Sequence, residues 1–480
     1  MGKPFYLTTT LPYVNADPHI GFALEIVQAD IIARYRKLLG DDVFFNTGTD
    51  EHGLKIFRKA QEEGKDTQSY VDEYAAKFQG LKQKLDLSPD LHFVRTTDPH
   101  HKSAAQELWR RCERSGDIEK RTYKGLYCVG DEAFIKESEL VNGRCPNHPT
   151  MDLIEIEEEN YFFNLKKYEK KLLEYLSREG VIVPEWRRLE AIQFVERGLE
   201  DFSISRVKEK MPWGVAVPGD DSQVMYVWFD ALTNYISNLG WPEDAEGNFK
   251  KFWEGGDTLQ LAGKDQVRFQ SIMWQAMLMS AGLPPTKQVF YHGFITSEGQ
   301  KMSKSIGNVI DPMAIVEEYG ADALRYFLAR HVSPFDDSDF TMEKFKESYN
   351  ADLANGLGNL TARIFKMAEQ YETLEQAAKF LPNMFPVQEA WANLAVFNFN
   401  RAMGHVWERI SSVDKFINDE KPFIVYKTDP EKAKSQVLNA LSQLRDIALT
   451  LEPIMPAASE KILSGIKNRE VPKNLFPRKE

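Results

Sequence analysis

Two loops of the chain carry side chains fit for holding a polyphosphate. The first, Leu11–Pro12–Tyr13–Val14–Asn15–Ala16–Asp17–Pro18–His19–Ile20–Gly21–Phe22, separates a β-rich run starting at Phe5 from a segment with apolar residues at helical spacing (Ile26, Ala29, Ile32, Ala33, Leu38). Free backbone N–H groups where a strand hands over to a helix favour anions. Gly21 would permit close backbone approach, and His19 has donors for phosphate oxygens. An ordinary first strand–helix unit with a surface histidine fits the same residues. The second loop, Gly299–Gln300–Lys301–Met302–Ser303–Lys304–Ser305–Ile306–Gly307–Asn308, sets Lys301 and Lys304 in a glycine-flanked polar stretch. Flexible cations suit the developing charge of a phosphoryl transition state, although a solvated lysine loop has the same composition.

A third constellation is Cys128, Asp131, Cys145 and His148, two pairs each with two intervening residues. Thiolate, carboxylate and imidazole are all zinc ligands, and structural zinc would stabilise a small insert with little core; a metal-free knuckle held by its turns is the alternative. In Gly48–Thr49–Asp50–Glu51–His52–Gly53, Asp50 suits an ammonium group and His52 or Gly53 a nucleotide, unless Asp50 and Glu51 merely cap the helix that follows. The aromatic run Tyr226–Val227–Trp228–Phe229–Asp230–Ala231–Leu232–Thr233–Asn234–Tyr235 reads as a strand feeding a helix, and lines either an apolar pocket or the core.

The elements that position these groups alternate as strand and helix. Strands are expected at Phe5–Leu11, Asp42–Asn46, Leu259–Ala262 and Gln288–Ile295, and amphipathic helices over 67–85 and 98–115. From Asp117 to Glu190 the pattern breaks into short β-like pieces, an acidic turn at Glu155–Asn160 and a β segment beginning at Tyr161; strand–helix alternation then resumes. This describes an α/β, Rossmann-like, doubly wound parallel sheet split by a small zinc-knuckle insert. From Asn350 to Leu463 the periodicity is helical, with Leu353, Leu357, Leu360, Ile364 and Met367 marking the first element of a separate α-helical bundle.

Composition limits the function classes. A chain of 480 residues with formal charge −12 carries no general basic coat for nucleic acid, yet a local positive face would still steer a polyanion. DNA is not an expected partner. Three cysteines fit a reducing compartment and not a disulfide framework. Neither a signal sequence nor a bilayer-spanning run is visible, so a cytoplasmic protein without membrane association is expected.

Together, Pro18–His19–Ile20–Gly21–Phe22 and Lys301–Met302–Ser303–Lys304–Ser305 resemble the two signatures of the class I aminoacyl-tRNA synthetases. Within that class the resemblance is to the methionyl-tRNA synthetase family and extends over essentially the whole chain, through Leu11–Pro12–Tyr13–Val14–Asn15, Gly48–Gly53, the cysteine knuckle and Tyr226–Ala231. It implies ligation of L-methionine to tRNA(Met), initiator tRNA included, through a methionyl-adenylate formed from ATP with Mg²⁺. Leu11, Tyr13, Trp228, Ala231, Tyr235 and Gln270 match positions of the methionine side-chain pocket, and Asp50 the carboxylate that holds its ammonium. His19, Gly21, Lys301 and Lys304 match residues that meet ATP, and Arg206 an active-site arginine. Gly263, Lys264, Asp265, His292 and Gly293 match stretches bordering the adenosine. Asn359, Arg363 and Phe423 sit where the family reads the anticodon, the first two four residues apart on one helical face.

The implied domains are 1–116 and 206–320 for the two catalytic halves, 117–205 for the insert, 321–348 for linking helices and 349–480 for anticodon binding. The chain's end soon after its last apolar helical position favours a monomer. Four positions depart from the family pattern: Phe22 and Gln270 each replace a histidine, Phe423 a tryptophan and Asp131 a cysteine. These departures keep open a divergent paralogue that binds tRNA without charging it or uses another hydrophobic amino acid.

Overall fold

The structure is a computed structural model that describes residues 2–130, 133–135, 140–146, 148–302, 308–379 and 386–479. The chain forms two compact units. Met1–Pro18, Gly40–Gly80 and Pro89–His292 make the first; His19–Leu39, Leu81–Ser88 and Gly293–Glu480 make the second.

The first unit is built on a six-stranded sheet whose order is Leu91–Arg95, Asp42–Thr49, Pro4–Thr8, Asp257–Gly263, Gln288–His292, Ile182–Val183. Every pairing in it is parallel. Parallel strands need both faces covered, and Tyr6, Leu7, Phe45, Leu259, Leu261 and Phe290 are accordingly buried. Successive strands run outward from Pro4–Thr8 on one side; on the other, Asp257–Gly263 and Gln288–His292 follow in chain order and the earlier Ile182–Val183 forms the edge. The order therefore reverses between Pro4–Thr8 and Asp257–Gly263, where ligands of such sheets bind beyond the carboxyl ends.

The insert is more regular than its sequence suggests. Ile118–Cys128 is one long strand, antiparallel to Ile154–Phe163 over its length. The expected acidic turn at 155–160 is thus strand, and Tyr161 lies near its end. Lys124 pairs with Glu155 at 3.0 Å and Lys120 with Glu159 at 3.3 Å, so the acidic run is neutralised by a basic partner strand distant in sequence. At the end of this hairpin Cys128, Ile135 and Cys145 form, among the described residues, a small buried cluster, packed by Leu140 and Leu153.

In the second unit, helix Ile20–Leu38 buries an apolar face from Ile20 to Ile32, and a small sheet joins Gln300–Lys301, Ile295–Ser297 and Ser338–Phe340. The helical series of the C-terminal region follows, including Asn359–Gln370, Phe399–Glu420, Pro430–Leu451 and Pro456–Asn468. Leu353, Leu357, Leu360 and Ile364 are buried as their spacing predicts. Gln388–Leu394 and Phe399–Glu420 are separate helices: Phe397 adopts φ 61°, and the Asn398 N–H turns back to the Asn393 carbonyl at 2.9 Å, a closing bond of helix C-termini. No helix among the described residues is long and apolar enough to cross a membrane.

Candidate active site

In the first unit the loop after Pro4–Thr8 is stitched to the loop after Asp42–Thr49. The Asp50 N–H donates to the Pro12 carbonyl at 3.0 Å and the Val14 N–H to the Asp50 carbonyl at 3.2 Å, so Tyr13 and Asp50 form a parallel bridge. Asp50 is 4% exposed. Glu51 does not cap the next helix; it accepts from Thr49, Thr97 and from Arg95 Nε and Nη2, an arrangement that fixes the loop from behind. Gly53 occupies the helix N-cap with no side-chain cap.

The aromatic run, expected to be a strand feeding a helix, is helical from its start. The strand ends at Met225, Tyr226 is the N-cap, and Val227–Leu232 and Asn234–Ser237 are helices. Trp228 is half-buried and stacks on Phe269 with ring centroids 3.8 Å apart; Ala231 and Tyr235 are buried. Gln270, in the wide π-helical turn Arg268–Met273, donates from Nε2 to the Tyr235 hydroxyl at 2.7 Å. Its Oε1 is buried without a hydrogen bond among the described residues. Consecutive residues of one π-turn thus hold Trp228 and Tyr235, a use of such turns common at functional sites.

Behind this wall lies a polar cluster that the sequence did not disclose. His52, expected at a nucleotide, turns inward: its Nδ1 lies 2.6 Å from Asp230 Oδ2. His101 Nε2 lies 2.9 Å from Asp230 Oδ1, and His101 Nδ1 2.9 Å from Ser237 Oγ. Burial alone would raise the Asp230 pKa, but the facing His52 charge and the bonds from both imidazoles outweigh it and lower the value to about 2. A charged residue inside an apolar aromatic helix, and the paired His100–His101, were the available signals.

Arg206 is 6% exposed, donates from Nη1 to Ser203 Oγ (2.8 Å) and the Ser205 carbonyl (2.7 Å), and faces the Tyr226 ring at 4.4 Å. It therefore braces the residue from which the aromatic helix starts. Gly263 and His292 are register partners at the carboxyl ends of neighbouring strands, and Lys264 and Asp265 continue from Gly263 in a short 3₁₀ turn. Leu11 is half-buried in the first loop.

In the second unit His19 is the N-cap of helix Ile20–Leu38, its Nδ1 accepting from the Gly21 N–H at 3.1 Å. That bond leaves the ring proton of neutral His19 on Nε2. A Cβ on Gly21 would stand 2.9 Å from His19 Cε1 and 3.0 Å from Nδ1, so any larger residue displaces the imidazole. The same point lies 3.8 Å from the Met302 methyl, which brings the two signature loops together. Lys301 is a strand residue opposite Thr296; Lys304 lies outside the described residues. Phe22 donates its backbone N–H to the His19 carbonyl at 3.0 Å and belongs to the first helical turn.

On the helical C-terminal side Arg363 bonds Asp414 at 2.5 Å and Asn418 at 2.8 Å, while Asn359, one turn earlier, is exposed. Phe423 is 48% exposed just after the bend at Lys421, whose φ is 46°.

In the insert, Cys128 Sγ and Cys145 Sγ stand 3.7 and 3.9 Å from His148 Nδ1. Ligands held tetrahedrally at about 2.0–2.3 Å from zinc stand about 3.3–3.8 Å apart, so this trio has close to the spacing, and the donor chemistry, of a zinc site. Asp131, the expected fourth ligand, lies outside the described residues. Gly130 admits the ring, since a Cβ there would meet His148 Cγ at 2.4 Å.

A parallel sheet of this order, with the Tyr13–Asp50 bridge and the Trp228 and Tyr235 helices in one unit and His19, Gly21 and Met302 grouped in the other, fits a class I aminoacyl-tRNA synthetase. The family model described as tRNA synthetases class I (M) matches residues 5–153 and 149–365, and that of the anticodon binding domain of methionyl tRNA ligase matches 386–477. The chain belongs to the methionyl-tRNA synthetases. The methionine–tRNA ligase of Thermotoga maritima is 42% identical over 98% of this chain and 76% of the relative, and that of Thermosynechococcus vestitus 43% identical over 96% and 90%. The Mycobacterium tuberculosis methionyl-tRNA synthetase in complex with methionyl-adenylate superposes with a TM-score of 0.88 at 36% identity, covering 100% of this chain and 99% of that one.

Proposed function

We infer that the chain is a methionine–tRNA ligase. It activates methionine with ATP to methionyl-adenylate and pyrophosphate, then transfers the methionyl group to tRNA. The observation that carries this reading is that the loop of the Tyr13–Asp50 bridge is tied through His52 to Asp230, on the helix of Trp228 and Ala231, while one π-turn supplies the partners of Trp228 and Tyr235. The relatives named as methionine–tRNA ligases, matched over nearly all of this chain, support it.

The methionine carboxylate attacks the α-phosphorus in line, and the protein supplies position and electrostatics rather than a covalent nucleophile. Asp50 receives the ammonium. Leu11, Tyr13, Trp228, Ala231 and Tyr235 enclose the thioether, whose polarizable sulfur favours aromatic edges. The Gln270 amide, already bonded to Tyr235, presents its remaining polar atom to that pocket. His19 donates from Nε2 to a phosphate oxygen, Gly21 allows the approach, and Lys301 and Lys304 follow the charge that moves to pyrophosphate. Mg²⁺ accompanies ATP. Gly263, Lys264, Asp265, His292 and Gly293 border the adenosine, and Arg206 braces the aromatic helix.

In the C-terminal region Asn359, Arg363 and Phe423 meet the anticodon, Phe423 by stacking; tRNA(Met), elongator and initiator, is the macromolecular substrate. Cys128, Cys145 and His148, with Asp131, hold structural zinc, which stabilises the end of the insert, whose buried cluster is small, and takes no part in the chemistry. The enzyme acts as a cytoplasmic monomer. The test is ATP–pyrophosphate exchange with methionine against leucine, isoleucine and valine, followed by charging of tRNA(Met); exchange that does not depend on methionine would overturn the assignment. Retained tRNA affinity without exchange would favour a tRNA-binding paralogue.

A further inference from the structure

An amino-acid site that grips both ends of its ligand needs those two grips held a fixed distance apart. Here they stand on different elements: Asp50 on the loop after Asp42–Thr49, and Trp228, Ala231 and Tyr235 on the paired helices Val227–Leu232 and Asn234–Ser237. Neither element is long, so neither positions itself.

Asn46 of strand Asp42–Thr49 bonds Asn234 of the second helix at 3.0 Å, and one side chain of the first helix reaches the loop itself. Asp230 lies between Trp228 and Ala231 in sequence, is fully buried, and points away from solvent toward His52 and His101. His52 is two residues beyond Asp50, so its 2.6 Å contact with Asp230 ties the ammonium anchor to the pocket helix. His101 comes from a third element, helix Pro99–Arg114, and grips the pocket helices twice, at Asp230 Oδ1 and at Ser237 Oγ, both 2.9 Å. Both carboxylate oxygens and both His101 nitrogens are used. The second helix is held independently as well, since the Tyr6 hydroxyl donates to the Tyr235 carbonyl at 2.7 Å. A rotation of Asp230 would therefore move the end of the wall nearest Trp228 and Ala231 relative to Asp50, with Tyr235 kept in place.

We propose that Asp230, clasped by His52 and His101, is a positioning residue that sets the span between the ammonium anchor and the side-chain pocket, and so the length of side chain the site activates. The proposal rests on the methionine-activating reading given above. It assigns none of the three residues a contact with substrate; they act through Asp50, Trp228 and Ala231.

A buried cluster that merely stabilises the fold makes a different prediction, because loss of stability does not alter the choice between ligands. The experiment measures ATP–pyrophosphate exchange with methionine, with ethionine, which is one methylene longer, and with norvaline, which is shorter. Thermal unfolding is recorded on every variant. The geometric rescue uses the overlap of the asparagine Nδ2 with imidazole Nδ1 and of the glutamine Nε2 with imidazole Nε2: His52→Asn and His101→Gln keep the donor to Asp230, whereas His52→Leu and His101→Leu remove it. The leucine variants and Asp230→Asn are expected to raise the KM for methionine about 10-fold, as a misplaced positioning element does. The ethionine-to-methionine ratio of kcat/KM should rise by about fivefold or more, the scale on which one methylene is discriminated. The KM for ATP should stay near that of the unsubstituted chain, and the Asn and Gln variants should recover the methionine preference.

If folded His52→Leu and His101→Leu proteins show a lower melting temperature with unchanged analogue ratios, the cluster is structural only and the proposal is overturned. Should Asp230→Asn fail to fold, the comparison of His52→Asn with His52→Leu decides in its place. Absence of methionine-dependent exchange in the unsubstituted chain would defeat the functional reading itself, and the proposal with it; normal exchange there with unaltered ratios in the variants defeats this proposal alone.

Discussion

Arg325 places Nη2 2.7 Å from Asp30 Oδ2, and both side chains are wholly withdrawn from solvent. The guanidinium also donates to the Ile454 carbonyl at 2.7 Å and the Pro453 carbonyl at 2.9 Å, while Asp30 accepts from the Ser88 N–H at 2.6 Å and from Arg34 at 2.8 Å. Helix Ile20–Leu38, capped by His19, is thereby fastened to helix Ala321–Arg330 and to the turn before Pro456–Asn468. Removing one partner of such a pair leaves an uncompensated buried charge and orphaned carbonyls. Arg325→Met is expected to lower the stability by about 3 kcal/mol in urea unfolding, with partial recovery when Asp30→Asn is added. An unchanged denaturation midpoint would show that the pair contributes nothing.

A second buried carboxylate in the same region titrates unusually high. Asp322 accepts the Ala458 N–H at 2.6 Å, yet burial, the largest influence, pushes its pKa up to about 6 despite that bond and the nearby Arg325. A folded-state value above the unfolded one means that the native protein binds the proton more tightly, so this group favours folding below the unfolded pKa and loses that contribution as the pH rises toward 6. The stability difference between the unsubstituted chain and Asp322→Asn should therefore change across pH 4 to 6 by on the order of 3 kcal/mol and be flat above. Urea midpoints at closely spaced pH values check this; parallel curves for the two proteins would refute it.

What was legible in the sequence had local causes. The signature loops are read from contiguous residues because His19, Gly21 and Met302 work through neighbouring backbone, and the C-terminal helices from apolar spacing that needs no partner to be seen. The failures lie where a distant partner decides. Glu155–Asn160 reads as a turn until Ile118–Cys128 supplies Lys120 and Lys124 opposite it. The aromatic run from Tyr226 has strand composition, but Asp230 is drawn to His52 and His101, 178 and 129 residues away, and the run is helical. The residues facing the ligand could be matched to a family pattern, whereas those holding them from behind carry no contiguous signature.

The cysteine knuckle offers a test independent of catalysis. Two thiols and one imidazole at ligand-to-ligand spacing, beneath a cluster as small as Cys128, Ile135 and Cys145, leave the end of the insert dependent on a cross-link of some kind. Protein purified without chelator should contain roughly one zinc per chain, and Cys128→Ser should lose most of it. Hydrogen exchange should then quicken in Gly125–Leu153 and leave the central sheet unaffected. Zinc-free native protein with the same slow exchange would count against the assignment.

His19 is where the helix cap and the proposed phosphate contact compete for one ring. Nδ1 is occupied by the Gly21 N–H at 3.1 Å, so donation falls to Nε2, and Phe22 provides no second imidazole beside it. His19→Ala should lower methionine-dependent pyrophosphate exchange at least about 10-fold, a typical loss for a positioned donor to developing charge. His19→Asn separates the two roles: its side chain can accept from the Gly21 N–H but is too short to reach where Nε2 points, so it should restore the cap and stability while leaving exchange as low as in His19→Ala. Exchange recovering together with the melting temperature in His19→Asn would mean that this residue only caps the helix.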